Sequence, residues 1–141
     1  MRKWLNGRKK NDFLQAAFTA EEREQIMTTI IAADRIPYWV TNPGKPSKDK
    51  VFLLSLSEVR EMFSSFETRR CAATDFAKIQ GVQTHDSFKT EGNPACYWWL
   101  RSLCADPDFV ACVDIIGSIL ESEHFVFDKR VGVRPALWVK L

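Results

Sequence analysis

The sequence predicts an α+β domain, and three observations predict it. Short apolar stretches at helical spacing, two of them launched by Thr/Ser-x-x-Glu capping boxes, occupy the chain through Gln80. From Tyr97 onward the pattern changes to brief apolar runs punctuated by Gly117 and Gly132, which reads as strands and long connections. The composition, 45% hydrophobic and 27% charged over 141 residues, fits one compact unit with a buried core and excludes disorder, collagen and coiled coil. No repeat or low-complexity tract divides it, so a single domain over residues 1–141 is expected.

In chain order, Phe13, Leu14, Ala17 and Phe18 share one face of a helix within Asn11 to Phe18. Thr19-Ala20-Glu21-Glu22 then caps a second helix running to about Ile26. Ile30 to Val40 is apolar and β-branched around Asp34-Arg35, and Thr41 to Ser47 is loop by its Asn, Pro and Gly content. Lys50 to Leu54 reads as a short strand buried on both faces. Ser55-Leu56-Ser57-Glu58 caps a further helix ending near Ser65, with Val59, Met62 and Phe63 inward. Thr74 to Gln80 forms a helix closed by Gly81, with Phe76, Ala77 and Ile79 expected to be buried. Gln83 to Pro94 is expected to be a polar loop.

Charge and cysteine usage narrow the function classes. The net charge of +2 is too small to argue for nucleic acid or an anionic membrane, although residues 1–50 carry ten Lys/Arg against six acids, and residues 104–130 six acids against two basic residues. Arg8-Lys9-Lys10 between two helical stretches reads as a solvated turn. The apolar runs are too short for the roughly 20 residues a membrane-spanning helix needs. Met1-Arg2-Lys3-Trp4 opens no secretory signal, which is compatible with a cytoplasmic or virion-associated protein. Cys71, Cys96, Cys104 and Cys112 show no Cys-x-x-Cys spacing, so no zinc site is expected. They read as reduced thiols, the first two as small buried hydrophobes. No phosphate loop, metalloprotease helix, Ser-centred elbow or helical carboxylate pair is present, so no catalytic residue, metal or cofactor is assigned.

Four blocks taken in order are distinctive: Trp4-Leu5-Asn6, Lys50-Val51-Phe52-Leu53-Leu54-Ser55, Tyr97-Trp98-Trp99-Leu100-Arg101-Ser102, and Gly132-Val133-Arg134-Pro135-Ala136-Leu137-Trp138. Together with Arg70-Cys71-Ala72 through Gly81, they resemble bacterial and phage domains of the C-type lectin fold. That group includes the variable proteins of diversity-generating retroelements and is distantly similar to formylglycine-generating sulfatase modifiers. The resemblance runs along nearly the whole chain. It implies a C-type lectin-like fold in which short helices pack on a small antiparallel sheet with long C-terminal loops. It also implies that some N-terminal strands of relatives are missing here, leaving an edge that a second subunit covers; the oligomeric state stays open. Alternation in Tyr97 to Arg101 sends one Trp to the core and the other to a groove, and Arg101 and Arg134 satisfy buried carbonyls or carboxylates, with anion binding by Arg134 as the alternative. Four of the five tryptophans fall in these blocks and Trp39 before the Pro-Gly loop, so the aromatic load reads as rigid support.

Between the last two blocks the chain departs from its relatives. They usually carry Pro-Gly after the Trp-Trp-Leu-Arg-Ser block and are rich in Asn, Asp and Tyr beyond it; here Leu103-Cys104 follows. Val113, Gly117, Ser118, Ile119, Val126 and Gly132 keep the frame, with Val113, Ile119 and Val126 as core. In such retroelements, adenine-directed mutagenesis of AAC codons randomises chosen surface positions. Ala, Asp, Phe, Cys, Ile, Leu, Ser, His and Arg are all reachable from AAC by changing its adenines, whereas Glu and Lys need an AAA or AAG template. The expected hypervariable, ligand-binding set is Ala105, Asp106, Asp108, Phe109, Cys112, Asp114, Ile115, Leu120, Glu121, Ser122, His124, Phe125, Phe127, Asp128 and Arg130, on a surface formed by residues 103–131. Phe and Ile supply contact area, acids supply orientation, and His124 makes binding pH-sensitive. The competing reading is that Phe109, Ile115, Phe125 and Phe127 are core strand residues.

The expected function is therefore non-enzymatic binding of a protein or other macromolecular ligand by a retroelement-diversified variable protein, without nucleic acid binding or membrane insertion. The alternatives are an undiversified structural or accessory domain of phage or bacterial origin, and a sulfatase-modifier-like enzyme using Cys104 and Cys112. Asp106-Pro107-Asp108 is similar to the acidic-Pro-polar calcium loop of animal lectins but lacks the accompanying Trp-Asn-Asp block, so no calcium is assigned.

Overall fold

The computed structural model describes residues 1–106 and 108–140, with Glu123 described by its backbone. In chain order its elements are α1 (Arg2–Leu5), α2 (Phe13–Ala17), α3 (Ala20–Gln25), β1 (Thr29–Ile31), β2 (Ser47–Asp49), β3 (Val51–Phe52), α4 (Leu56–Met62), α5 (Phe66–Arg69), β4 (Cys71–Ala72), α6 (Asp75–Ile79), β5 (Thr84–Thr90), β6 (Asn93–Cys96), β7 (Trp98–Leu103), β8 (Phe109–Val113), β9 (Ile119–Phe125) and β10 (Ala136–Leu137). The structure is thus α+β, with small sheets that are all antiparallel. The described residues form two compact units, both discontinuous in sequence: those within 1–33, 44–53 and 135–140 in one, and those within 34–43 and 54–134 in the other.

In the first unit, β1 pairs with β2 and β3 with β10. The Trp4-Leu5-Asn6 block organises it, each residue by a different means. Trp4 packs on Phe13 at 5.5 Å and donates its indole N–H to the Asn11 carbonyl at 3.2 Å. Leu5 is buried with Leu14, Ile26, Ile31, Val51 and Phe52. Asn6 acts as a substitute strand: its Oδ1 accepts from Lys50 N and Val51 N at 2.9 and 3.0 Å, and its Nδ2 donates to the Val51 carbonyl at 2.7 Å. That side chain satisfies backbone groups that β3 otherwise leaves unpaired. The predicted capping box is present, Glu22 N reaching Thr19 Oγ1 at 3.2 Å and Thr19 N reaching Glu22 Oε2 at 2.7 Å.

The second unit is built on β7, in which Trp98, Trp99, Leu100 and Ser102 are all buried. β7, β8 and β9 form a meander, with irregularities between Trp99 and Leu103 and between Val110 and Cys112. A second sheet runs β4-β6-β5. The Trp98 indole donates to the Arg69 carbonyl at 3.0 Å, and the Arg134 guanidinium lies 4.8 Å from the Trp98 ring and 4.9 Å from Phe63. Arg101 forks onto Glu58 at 2.5 and 2.8 Å. Glu58 also completes the Ser55 capping box at the start of α4. Ser102 Oγ accepts from Leu56 N at 2.7 Å and donates to Asp34. The structural duty expected of both arginines is present, Arg134 donating to the Arg69 carbonyl at 3.3 Å.

Several local expectations are corrected. Gln83 to Pro94 is not a loop: β5 and β6 form a hairpin across Glu91 and Gly92, whose φ values of 51° and 79° give the two left-handed residues of a tight turn. Its first strand faces solvent at many positions, so it shows no apolar alternation. Phe76 and Ile79 on α6 are exposed, and Ala77 is half-buried; Met62 is also exposed, while Val59 beside it is fully buried. Ile30 to Val40 contributes strand at β1 alone among named elements, and Val40 is exposed. Trp98 and Trp99 are both buried, so neither lines a groove. Cys96 is buried as expected, whereas Cys71 is half-buried.

Trp98→Ala removes the largest fully buried side chain of the second unit and leaves the Arg69 carbonyl with the longer Arg134 hydrogen bond in place of two donors. It should lower unfolding free energy by about 3–5 kcal/mol in a urea titration. Glu58 supplies a pH dependence. Burial raises its pKa, but the Arg101 and Ser55 hydrogen bonds together outweigh burial and hold it below its usual value. Its contribution is therefore present above the usual value and lost as pH falls through the folded one. Glu58→Gln, which keeps the cap but not the ion pair, should be less stable than wild type at neutral pH. The gap should narrow as pH falls below the usual carboxylate range.

Candidate functional site

The fifteen residues of the expected ligand surface are not gathered at one end of the meander. β8 spans five residues, so its two ends lie about 13 Å apart, and the expected set divides between them. At the β8–β9 turn, Asp114 Oδ1 accepts from Ile116 N at 2.9 Å and Ser118 N at 2.7 Å, and Gly117 follows with φ 92°. Arg69 and Arg70 donate to the Gly117 and Ile116 carbonyls at 3.1 and 3.2 Å. Asp114 and the half-buried Ile115 therefore belong to a pinned turn rather than a free loop. Leu120 is half-buried opposite Cys112, Ser122 is exposed, and Glu121 pairs with Arg60 of α4 at 2.7 Å.

Cys112 is corrected outright, because its side chain is fully buried. Val126, expected in the core, is exposed; Ile119 is half-buried, and Val113 is core as expected.

The opposite end of the meander gathers the expected phenylalanines. Phe109 on β8 pairs with Phe125 on β9, their rings 4.4 Å apart, and Phe127 stacks on Phe125 at 5.1 Å with 19° between planes. Phe125 is 46% and Phe127 70% exposed, so these two rings face solvent and are not strand core, while Phe109 is half-buried beside them. Ala105, Asp106 and Asp108 stand exposed in the neighbouring turn, tied to the ladder by Val126 N to Asp108 O at 2.9 Å and Phe109 N to Asp106 O at 3.0 Å. Asp106 Oδ1 accepts from Asp108 N at 2.9 Å, a local turn bond of the kind Asp favours. Pro107, the middle of the calcium-loop-like run, lies outside the described residues.

His124 alternates with Phe125 along β9 and so points to the other face. It lines a cleft of about 160 Å³ with Gln83, His85, Tyr97, Asp128, Arg130 and Val131. Its ring lies 5.1 Å from Tyr97 and 6.3 Å from Trp99, alternate residues on one side of the chain entering β7. Asp128 is held by Arg130, whose Nε and Nη2 donate at 2.9 and 2.7 Å; this hydrogen bonding keeps its carboxyl well below the usual carboxylate range. His124 Nδ1 stands 3.6 Å from the same carboxylate.

Sequence reading missed Gln83, His85 and Tyr97. The first two were hidden in the supposed loop, and Tyr97 was findable from its two-residue offset to Trp99. Among the described residues, no group of three or more His, Cys, Asp and Glu is placed to hold a metal ion, and no helix is long and apolar enough to cross a membrane.

These placements predict opposite responses to substitution. The double change Phe125→Ser and Phe127→Ser should alter unfolding free energy by less than about 1 kcal/mol. Asp114→Ala, which strands two backbone N–H groups, should lose about 1–3 kcal/mol; both are read by chemical denaturation. No curated protein and no solved structure matches the chain. A family model described as a domain of unknown function, DUF6273, matches residues 1–141. The chain belongs to the DUF6273 family.

Proposed function

We propose that this chain is a non-enzymatic recognition domain of C-type lectin-like fold, a retroelement-diversified variable protein that binds a protein ligand through the Phe109–Phe125–Phe127 end of its meander. The observation that carries the reading is the ladder itself. A run of three aromatic rings at the edge of a hydrogen-bonded sheet, the outer two left facing water and the third half-buried beneath them, is a liability unless it is covered in use. Aromatic side chains of this kind anchor interfaces because they bury much area at little conformational cost. The acids beside them at Asp106 and Asp108 favour a partner with basic residues around an apolar centre.

The same geometry narrows which positions tolerate diversification. A variable position must accept exchange without loss of fold. Cys112 in the core, Asp114 in its turn and Asp128 under Arg130 do not meet that condition. Ala105, Asp108, Phe109, Ser122, Phe125 and Phe127 do, and each residue type is reachable from an AAC codon by adenine changes. The sulfatase-modifier alternative draws less support, because Cys104 is buried, its thiol pushed up to about 11 by that burial, and Cys112 is buried as well. A thiol so placed is a poor nucleophile.

Two measurements test the proposal. Sequencing the locus should reveal an adjacent near-repeat that differs from this gene at adenines of the named codons, together with a reverse transcriptase gene; a locus with neither removes diversification. A surface-display binding screen should yield protein ligands whose binding falls at least tenfold in a Phe109→Ser, Phe125→Ser, Phe127→Ser variant of unchanged circular dichroism. Ligands indifferent to that triple change would place recognition elsewhere.

A further inference from the structure

The β4–β6 ladder sets Cys71 directly opposite Cys96. Opposed residues of an antiparallel pair have Cα atoms about 4.5 or 5.5 Å apart, and both spacings lie inside the range of about 4.4–6.8 Å that a disulfide spans. The backbone thus already holds the two side chains at bridging separation, while the structure has both as free thiols. The Cys71 thiol donates to the Ala72 carbonyl at 3.5 Å, and the neighbouring Cys96 thiol and the Arg134 guanidinium both favour its thiolate form. The members are inequivalent in access, Cys71 half-buried and Cys96 buried at 3% exposure.

We propose that Cys71 and Cys96 form a dithiol redox site that reacts with small-molecule disulfides of the glutathione class, Cys71 as the attacking sulfur and Cys96 as the resolving one, closing a cross-strand disulfide.

The chemistry follows from the inequivalence. The neighbouring Cys96 thiol draws the Cys71 thiol down to about 7 against the opposing effect of burial, with Arg134 assisting, and the Cys96 thiol is in turn pushed up. Near neutral pH a large share of Cys71 is thiolate, the form that attacks disulfides. Its sulfur bonds to one sulfur of the reagent, the reagent's S–S bond breaks, and one thiolate leaves and takes up a proton. Cys96 then gives up its proton and attacks the Cys71 sulfur, expelling the second half of the reagent as a thiol. The two cysteines are oxidised by two electrons, and one small disulfide is reduced to two thiols. Closure ties β4, a two-residue edge strand, covalently to the central strand of its sheet and closes the loop of residues 72–95 that contains α6 and β5. Such a crosslink restrains the unfolded chain and raises the melting temperature.

The test uses the folded full chain in glutathione buffers of rising oxidised fraction, with remaining thiols blocked by N-ethylmaleimide under denaturing conditions. Alkylation should fall from four sites per chain to two. Proteolysis should give a peptide joining Cys71 to Cys96, and the oxidised form should melt higher than the reduced one. Cys96→Ser should instead accumulate a glutathione adduct on Cys71, and Cys71→Ser should leave Cys96 unmodified. Retention of four thiols at every ratio, with native circular dichroism, overturns the proposal. So does a Cys71–Cys96 link that appears only together with oxidation of Cys104 and Cys112, since that pattern reports unfolding. Both outcomes are read on wild-type protein, so the result does not depend on the variants folding.

Discussion

The second unit depends on how the indole of Trp98 is accommodated. A fully buried Trp contributes a large apolar surface but brings one N–H that must find an acceptor away from water. The Arg69 carbonyl supplies it, at the end of α5 where helical carbonyls lack partners of their own. Arg134 then covers the ring face and donates to the same carbonyl, so one oxygen joins α5, β7 and the Gly132-Val133-Arg134 segment. With Trp98 fixed, the next residues of β7 are set by alternation. Trp99 N meets the Gly132 carbonyl, Arg101 reaches Glu58, and Ser102 satisfies the first amide of α4. The helices of this unit are only four to seven residues long, too short to be stable alone, and these side-chain bonds are what hold their ends.

Charge in this chain serves local structure more than it serves ligands. Asp106, Asp114 and Asp128 lie in the acidic segment that invites a reading as a recognition surface, yet each accepts from backbone N–H groups within four residues. Asp is suited to that work because its short carboxylate reaches amides two to four residues ahead and mimics a backbone turn. The exposed apolar rings are then the distinctive chemistry left at the β7–β8 end, and the acids set their spacing. A polar segment between strands therefore has to be sorted by whether its carboxylates can reach their own backbone before it is read as a binding site.

The sequence made the capped helices legible because capping boxes are local: Thr19 with Glu22 and Ser55 with Glu58 need no tertiary partner to be recognised. The β-rich character beyond Tyr97 and the scaffold duties of Arg101 and Arg134 were also readable, since a forked cation among apolar residues must find acceptors. What the sequence concealed was set by neighbours distant along the chain. β5 escaped notice because its partner β6 contains Pro94 and its own exposed face carries no period of two. Phe76 and Ile79 lie on a helix of five residues, and nothing in their spacing says which side is covered. The candidate surface was legible as a composition but not as a shape: the same residue types fill both ends of β8, and only the pairing of Phe109 with Phe125 puts rings together at one of them.

That pairing bears on whether such a surface can be varied without being unmade. A display site as proposed must keep its backbone while its side chains change, which is possible only where the backbone does not rely on those side chains. Around the ladder the bonds made by the phenylalanines are main-chain ones, Phe109 N to Asp106 O and Asp128 N to Phe125 O, with Val126 N to Asp108 O beside them, and the side chains that brace the turns are the Asp106 and Asp128 carboxylates. Exchange of a phenylalanine there removes ring contact and leaves every one of these bonds in place. At the opposite end the turn rests on the Asp114 carboxylate and on Gly117, where an added Cβ would fall 1.9 Å from the Phe66 carbonyl oxygen. Two ends of one meander thus differ in which side chains hold them: at the ladder end the phenylalanines carry none of the fixing bonds, and at the other the turn rests on the Asp114 side chain and on Gly117.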